Sequence, residues 1–262
     1  MFQTDKKQMK SLKSNNKFKA LIVDVDGTLI PNAEKGMPSE KVTKAIKNAR
    51  KKIIVSIASG RPYFMLSHIF KHLEMSGPVI TNNGAQIVNS QTGEIIYEQL
   101  INKEDVIETC LCLKKLKIPV YIQDNERDIK FTKTYKPNKP YNIFALGLSP
   151  EKAKEAILSV SHLPTISIHE TTGWKTGTKA ILASHVNATK QHAVLELAKY
   201  LNINTHEIIA VGDGHNDFPL FMAAGFRVAM GNAVEELKDI ADYVAPDVKD
   251  DGLAYAINKF VL

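Results

Sequence analysis

The sequence predicts an α/β fold: a doubly wound parallel sheet interrupted by a smaller α+β domain. Two observations carry this. Toward both ends of the 262-residue chain, short apolar runs alternate with helix-length amphipathic segments, the rhythm of parallel strands joined by crossover helices. The runs close on polar, Gly-containing turns (DVDGT, SGRP, NNGA, GDGHND), whereas between residues 85 and 186 short strands follow one another with only two helices among them.

Residues 18–23 (FKALIV) are an apolar run of buried-strand length ending at Asp24. A helix over 39–52 follows, with Ser39 as N-cap behind Pro38. A strand over 53–58 stops at SGRP, a helix spans 62–74, and a strand over 78–81 leads into NNGA. From residue 85 strands are expected at 86–88, 94–97, 120–123, 128–132 and 142–146, with helices at 103–117 and 150–160. The segment TKTYKPNKPYN, rich in Pro and Asn, reads as a loop. After strands at 165–170 and 179–183 the parallel rhythm returns: a helix over 190–201 capped by Thr189, a strand over 207–211 running into GDGHND, a helix over 218–224 and a strand over 226–229. The expected division is a Lys-rich tail at 1–17, a core made of 18–84 and 187–262, and an inserted domain at 85–186.

Charge excludes more than it suggests. The chain holds 34 Lys and Arg against 28 Asp and Glu, a net +6, but residues 1–19 alone carry six Lys and one Asp. The remaining body is at +1, so the basicity belongs to a leading segment, and neither nucleic acid nor a membrane surface is expected as a partner. No apolar run approaches the roughly 20 residues of a membrane span, and the leading segment lacks the apolar stretch of a secretory signal. Cys110 and Cys112 have no second pair to complete a zinc site and read as buried, reduced thiols of a cytoplasmic protein.

Open α/β sheets bind ligands at the carboxyl ends of their strands, and there the sequence is most polar. In an extended segment side chains two apart share a side, so Asp24 and Asp26 can face one crevice while Gly27 permits a sharp exit. GDGHND brings Asp213, Asn216 and Asp217. Converging carboxylates repel unless a cation sits among them, and hard oxygen donors suit Mg²⁺. Ser59, the Gly60 N–H and Arg61 at the second strand end, with Lys190 at a helix start, supply the donors a phosphoryl group needs. Carboxylate nucleophile, hydroxyl, lysine and divalent cation together describe phosphoryl transfer through an aspartyl-phosphate. Blander roles compete: Asp26-Gly27 as an ordinary turn, Ser59 as a helix cap, Arg61 as a salt-bridge residue. His215 is expected to contact substrate or the inserted domain, and Trp174 to be a core residue of that domain or a lid. TTGWKTGTK lacks the spacing of a nucleotide-binding P-loop.

DVDGT, IASGR, Lys190 and GDGHND stand in the order and spacing of the haloacid dehalogenase (HAD) superfamily, and NNGA (82–85), AMGNA (229–233) and the insert resemble its Cof-like branch with a type-IIB cap. The resemblance runs from about residue 19 to the C-terminus. It implies a Rossmann-like HAD core with an α+β cap and a Mg²⁺-dependent phosphatase of small phosphomonoesters. Asp24 would be nucleophile and metal ligand, Asp26 general acid/base and a metal ligand through its carbonyl, and Asp213 a further ligand. Val25 N–H, Ser59, Gly60, Lys190 and Asn216 would hold the phosphoryl group, Asp217 would orient Lys190 or metal-bound water, and Arg61, Asn83 and Gly84 would reach the substrate. A phosphomutase of the phosphomannomutase type ranks second, since the cap and C-terminal motifs are Cof-like. A non-catalytic binding protein ranks third, since every catalytic side chain is present.

Overall fold

The computed structural model of the protein describes residues 17–31, 36–125, 127–172 and 176–262. The leading segment to residue 16 and Trp174 lie outside the described residues. The chain divides into two compact units: the residues up to Tyr97 together with Thr189–Leu262, and Glu98–Ala188.

In chain order the elements are β1 (Ala20–Val23), α1 (Glu40–Ala49), β2 (Ile54–Ile57), α2 (Tyr63–His72), β3 (Pro78–Thr81), β4 (Gln86–Asn89), β5 (Ile95–Glu98), α3 (Lys103–Lys115), β6 (Tyr121–Asp124), β7 (Arg127–Lys130), β8 (Pro140–Leu148), α4 (Pro150–Ser159), β9 (Ile166–Thr172), β10 (Lys179–His185), α5 (Lys190–Leu201), β11 (Ile208–Gly212), α6 (Phe218–Met222), β12 (Phe226–Ala229), α7 (Glu235–Asp239), β13 (Tyr243–Val244) and α8 (Gly252–Phe260).

The first unit is built on a parallel sheet of order β13-β12-β11-β1-β2. A parallel bridge from Ala58 to Ile80 links it to a second sheet, β3-β4-β5. Both faces are covered, so the central strands are apolar throughout and their period-2 alternation sorts residues between two cores. Leu21, Val23, Ile209 and Val211 pack with α1, α2 and α8, while Ala20, Ile22, Ile208 and Ala210 pack with α5, α6 and α7. Burying a side chain such as Ile22 contributes about 1.5–3 kcal/mol. The helix starts follow the sequence: the Ser39 hydroxyl accepts from Val42 N–H at 3.1 Å, and that of Thr189 from His192 N–H at 3.2 Å.

The second unit is an antiparallel sheet of order β7-β6-β8-β10-β9. Its core joins Val106, Cys110 and Leu113 of α3 and Ala153 and Ala156 of α4 to Ile122, Ile143, Ala145, Ile181 and Ala183 of the sheet. Cys110 is buried and Cys112 half-buried, so only one of the two thiols matches the expected burial. The expected loop over 132–142 ends earlier, because Pro140–Asn142 already pair in β8, and what remains, 131–139, is organised by a buried carboxylate. Asp124 accepts from the Tyr135 hydroxyl, from Asn138 N–H at 2.7 Å and from Lys139 N–H at 2.6 Å.

The units part at Tyr97/Glu98, later than the expected residue 85. The reason is strand pairing: β4 runs antiparallel beside β3, with Thr81 opposite Gln86 and Pro78 opposite Asn89, which keeps the first hairpin after NNGA in the first unit. Among the described residues no helix is long and apolar enough to cross a membrane.

Candidate active site

β1, β2 and β11 are neighbours in the sheet, and the loops at their carboxyl ends carry the predicted residues. Asp24 follows β1 and is anchored by its N–H to the Val211 carbonyl at 2.9 Å. The chain then turns sharply: the Val25 carbonyl accepts from Leu29 and Ile30 N–H, both at 2.9 Å, and Gly27 N–H donates to the Ile30 carbonyl at 2.8 Å. Gly27 sits at φ +82°, and a Cβ there would collide with the Asp213 carboxylate. This glycine is required twice, for its backbone conformation and for the approach of the second acidic loop.

Lys190 opens α5, the positive end of a helix and the wrong place for an unpaired cation. It is almost wholly buried and donates to Asp24 Oδ1 at 2.5 Å and to Asp217 Oδ1 at 2.6 Å. Asp217 Oδ2 accepts from Asp213 and Gly214 N–H at 2.9 and 3.0 Å, so one carboxylate both closes the GDGHND loop and aims the lysine. Carboxylate oxygens of Asp24, Asp213 and Asp217 lie within 4.8 Å of one another.

One ammonium cannot compensate three acids. Burial, then the neighbouring Asp217, raises the Asp24 carboxyl from 3.8 to about 8 against the opposing pull of Lys190. Burial and Asp217 likewise raise Asp213 to about 6. For Lys190 burial pulls the other way, but Asp217 and Asp24 outweigh it and hold the ammonium form well above its ordinary value. A donor set of hard oxygens short of positive charge fits a divalent cation such as Mg²⁺.

Ser59 is buried and its hydroxyl accepts from Arg61 N–H at 3.1 Å; the N-cap of α2 is Pro62, so Ser59 does not cap that helix. Asn83, at φ +55°, donates its N–H to the Ser59 carbonyl at 3.0 Å and sets its side chain against Gly60. Gly84, at φ +104°, lies so close to the Thr189 carbonyl that a Cβ would collide with it, which seats NNGA against the start of α5. Asn216 and His215 are exposed, and His215 stacks on Phe218. The structure brings Arg61 to Asp26: Nε donates to Oδ2 at 2.8 Å and Nη2 donates to Oδ1. The salt-bridge reading of Arg61 is thus realised, with Asp26 as its partner. Two residues were missed from the sequence: the Thr28 hydroxyl donates to Asp213 Oδ1 at 3.0 Å, and Asn232, within AMGNA, reaches Asp213 and Gly27. Their motifs were visible, but no spacing indicates that they meet Asp213.

A doubly wound sheet that gathers an aspartate shared with a buried lysine, two further acids and a buried serine at the carboxyl ends of its strands has the outline of a phosphoryl-transfer site. The family model of haloacid dehalogenase-like hydrolases matches residues 21–130 and 123–257, and the chain belongs to that family, in its Cof-like branch. The protein is a hydrolase acting on phosphoric monoesters. It is 27% identical to 5-amino-6-(5-phospho-D-ribitylamino)uracil phosphatase YwtE of Bacillus subtilis, over 93% of this chain and 98% of the relative. It is 25% identical to phosphoglycolate phosphatase 1 of Saccharolobus solfataricus, over 93% and 96%. A solved HAD subclass IIB sugar phosphatase superposes with a TM-score of 0.74 at 25% identity, covering 92% of this chain and 98% of that one.

Proposed function

We propose that the protein is a Mg²⁺-dependent phosphatase that hydrolyses a small phosphorylated metabolite, a sugar phosphate or a cofactor-related monoester, through an aspartyl-phosphate. The observation that carries this is the buried Lys190 shared by Asp24 and Asp217, with Asp213 close enough to complete a cation site. Asp24 is the nucleophile. Its carboxylate attacks phosphorus as the bond to the leaving oxygen breaks, and Asp26 donates the proton that oxygen needs. Asp26 then takes a proton from a water that attacks the aspartyl-phosphate, freeing inorganic phosphate and Asp24. Ser59, the Val25 and Gly60 N–H groups, Lys190 and Asn216 bind the phosphoryl oxygens. Arg61 orients Asp26 through its two-armed contact.

The cation would be held by Asp24, Asp213 and the Asp26 carbonyl, with Asp217 adjoining. Bound there, Mg²⁺ supplies the positive charge that lets an anionic nucleophile meet an anionic ester. The relatives support the monoester class and not one substrate, since their names cite a ribitylaminouracil phosphate, phosphoglycolate and a sugar phosphate. We assign the choice of leaving group to the second unit, residues 98–188, with Asn83 and Gly84 reaching the substrate, and place the enzyme in the cytoplasm. A panel of phosphomonoesters assayed for inorganic phosphate with Mg²⁺ tests the reading. Release that stops in EDTA and returns with Mg²⁺ is expected. Interconversion of sugar 1- and 6-phosphates without phosphate release would overturn it in favour of a phosphomutase.

A further inference from the structure

The AMGNA motif is not used by the reaction as derived, yet its asparagine lies at a junction. The turn after β12 is strapped onto the second acidic loop by two backbone hydrogen bonds, Met230 N–H to the Gly212 carbonyl and Val234 N–H to the Asp213 carbonyl, both at 3.0 Å. Asn232 lies between those straps. Its Nδ2 donates to the Gly27 carbonyl at 2.8 Å and to Asp213 Oδ2 at 3.3 Å, while its Oδ1 accepts from Val248 N–H at 2.9 Å. Both amide protons and the amide oxygen are therefore engaged, each by a different segment. The other Asp213 oxygen is held by the Thr28 hydroxyl. Asp213 is thus gripped on both oxygens by neutral donors, one from the DVDGT turn and one from a residue 205 positions away from that turn.

We propose that Asn232 is a positioning residue for the metal site: it fixes the rotamer of Asp213 and ties it to the Gly27 turn, so that the oxygens of the two acidic loops stand at cation-holding distance before a cation arrives. The physical reason is pre-organisation. A carboxylate free to rotate loses conformational freedom each time a cation binds, and a half-buried carboxylate beside other acids tends to swing away from them. Two neutral donors remove that freedom and add no charge that would compete with the cation. Partners that orient metal ligands in this way are typically worth about 10- to 100-fold in metal affinity.

This inference rests on the cation site proposed above, and its test separates the two. Mg²⁺ binding to the purified full-length protein, without substrate, is measured by titration calorimetry for wild type, Asn232→Ala and Asn232→Ser; the serine variant serves if alanine fails to fold. Wild type should bind one Mg²⁺ and the variant about tenfold more weakly, with the Mg²⁺ concentration for half-maximal phosphatase rate raised by a similar factor. A merely structural role would lower the melting temperature in EDTA and the rate at every Mg²⁺ concentration without moving the dissociation constant. An unchanged constant in a folded variant would overturn the role of Asn232 alone. Failure of wild type to bind Mg²⁺ would overturn the site itself and this inference with it.

Discussion

An aspartate in each unit is buried to the same degree: Asp24 in the first and Asp124 in the second are both 4% exposed. Their surroundings differ in kind. Asp124 is met by three donors fixed in its own unit, a tyrosine hydroxyl and two backbone N–H groups, and its work is to hold a loop. Asp24 shares a single lysine with Asp217 and faces Asp213 as well, so its neighbourhood is short of positive charge. A closed hydrogen-bond shell marks a structural carboxylate, and an electrostatic deficit marks one awaiting a ligand.

The contrast can be attacked at four points. Asp24→Asn should lower turnover by roughly 10⁴-fold, as expected for loss of a nucleophile, and should melt no lower than wild type in EDTA at pH 8; a variant that retains turnover would remove Asp24 from the reaction. Lys190→Met leaves two buried carboxylates without their counter-charge and should cost about 3–5 kcal/mol in urea unfolding, a loss that would be absent if the cluster were well solvated. Asp124→Asn keeps the shape but weakens three hydrogen bonds, and about 1–3 kcal/mol is expected; a loss matching that of Lys190→Met would erase the distinction between the two aspartates.

The last effect is a slope with pH. Asp24 and Asp213 hold their protons more tightly folded than unfolded, so between about pH 4 and their raised values of about 8 and 6 the native state binds more protons than the unfolded chain. Their contribution to metal-free stability should therefore be fully present below about pH 4 and be lost as pH rises through that window, by at most about 1.4 kcal/mol per pH unit for each proton. Urea midpoints in EDTA at several pH values, for wild type and Asp24→Asn, check the sign; Mg²⁺ should reverse the fall near pH 8. A wild-type midpoint that rises with pH relative to Asp24→Asn would contradict the assignment.

Much of this was legible because it is local. Strand and helix positions follow from runs of like periodicity, and the Ser39 and Thr189 caps stand where their hydroxyls precede helical segments. The site's principal acids were legible because DVDGT and GDGHND each end a strand. The division at Tyr97/Glu98 was not, since an antiparallel partner for β3 cannot be told by pattern from the first strand of an insert. The Arg61–Asp26 pair and the Asn232 junction were hidden for a related reason: side-chain direction at a loop depends on how separate turns stack, and Asn232 reaches a carbonyl 205 residues away.

The α/β class and the acidic strand ends DVDGT and GDGHND are thus legible in the sequence, because hydrophobic period and turn residues act over a few positions. Which charges share a partner is set by the packing of distant segments. Asp24 and Lys190 are 166 positions apart, and their contact, with the shortage of positive charge that follows, exists only once β1, β11 and the start of α5 are brought side by side.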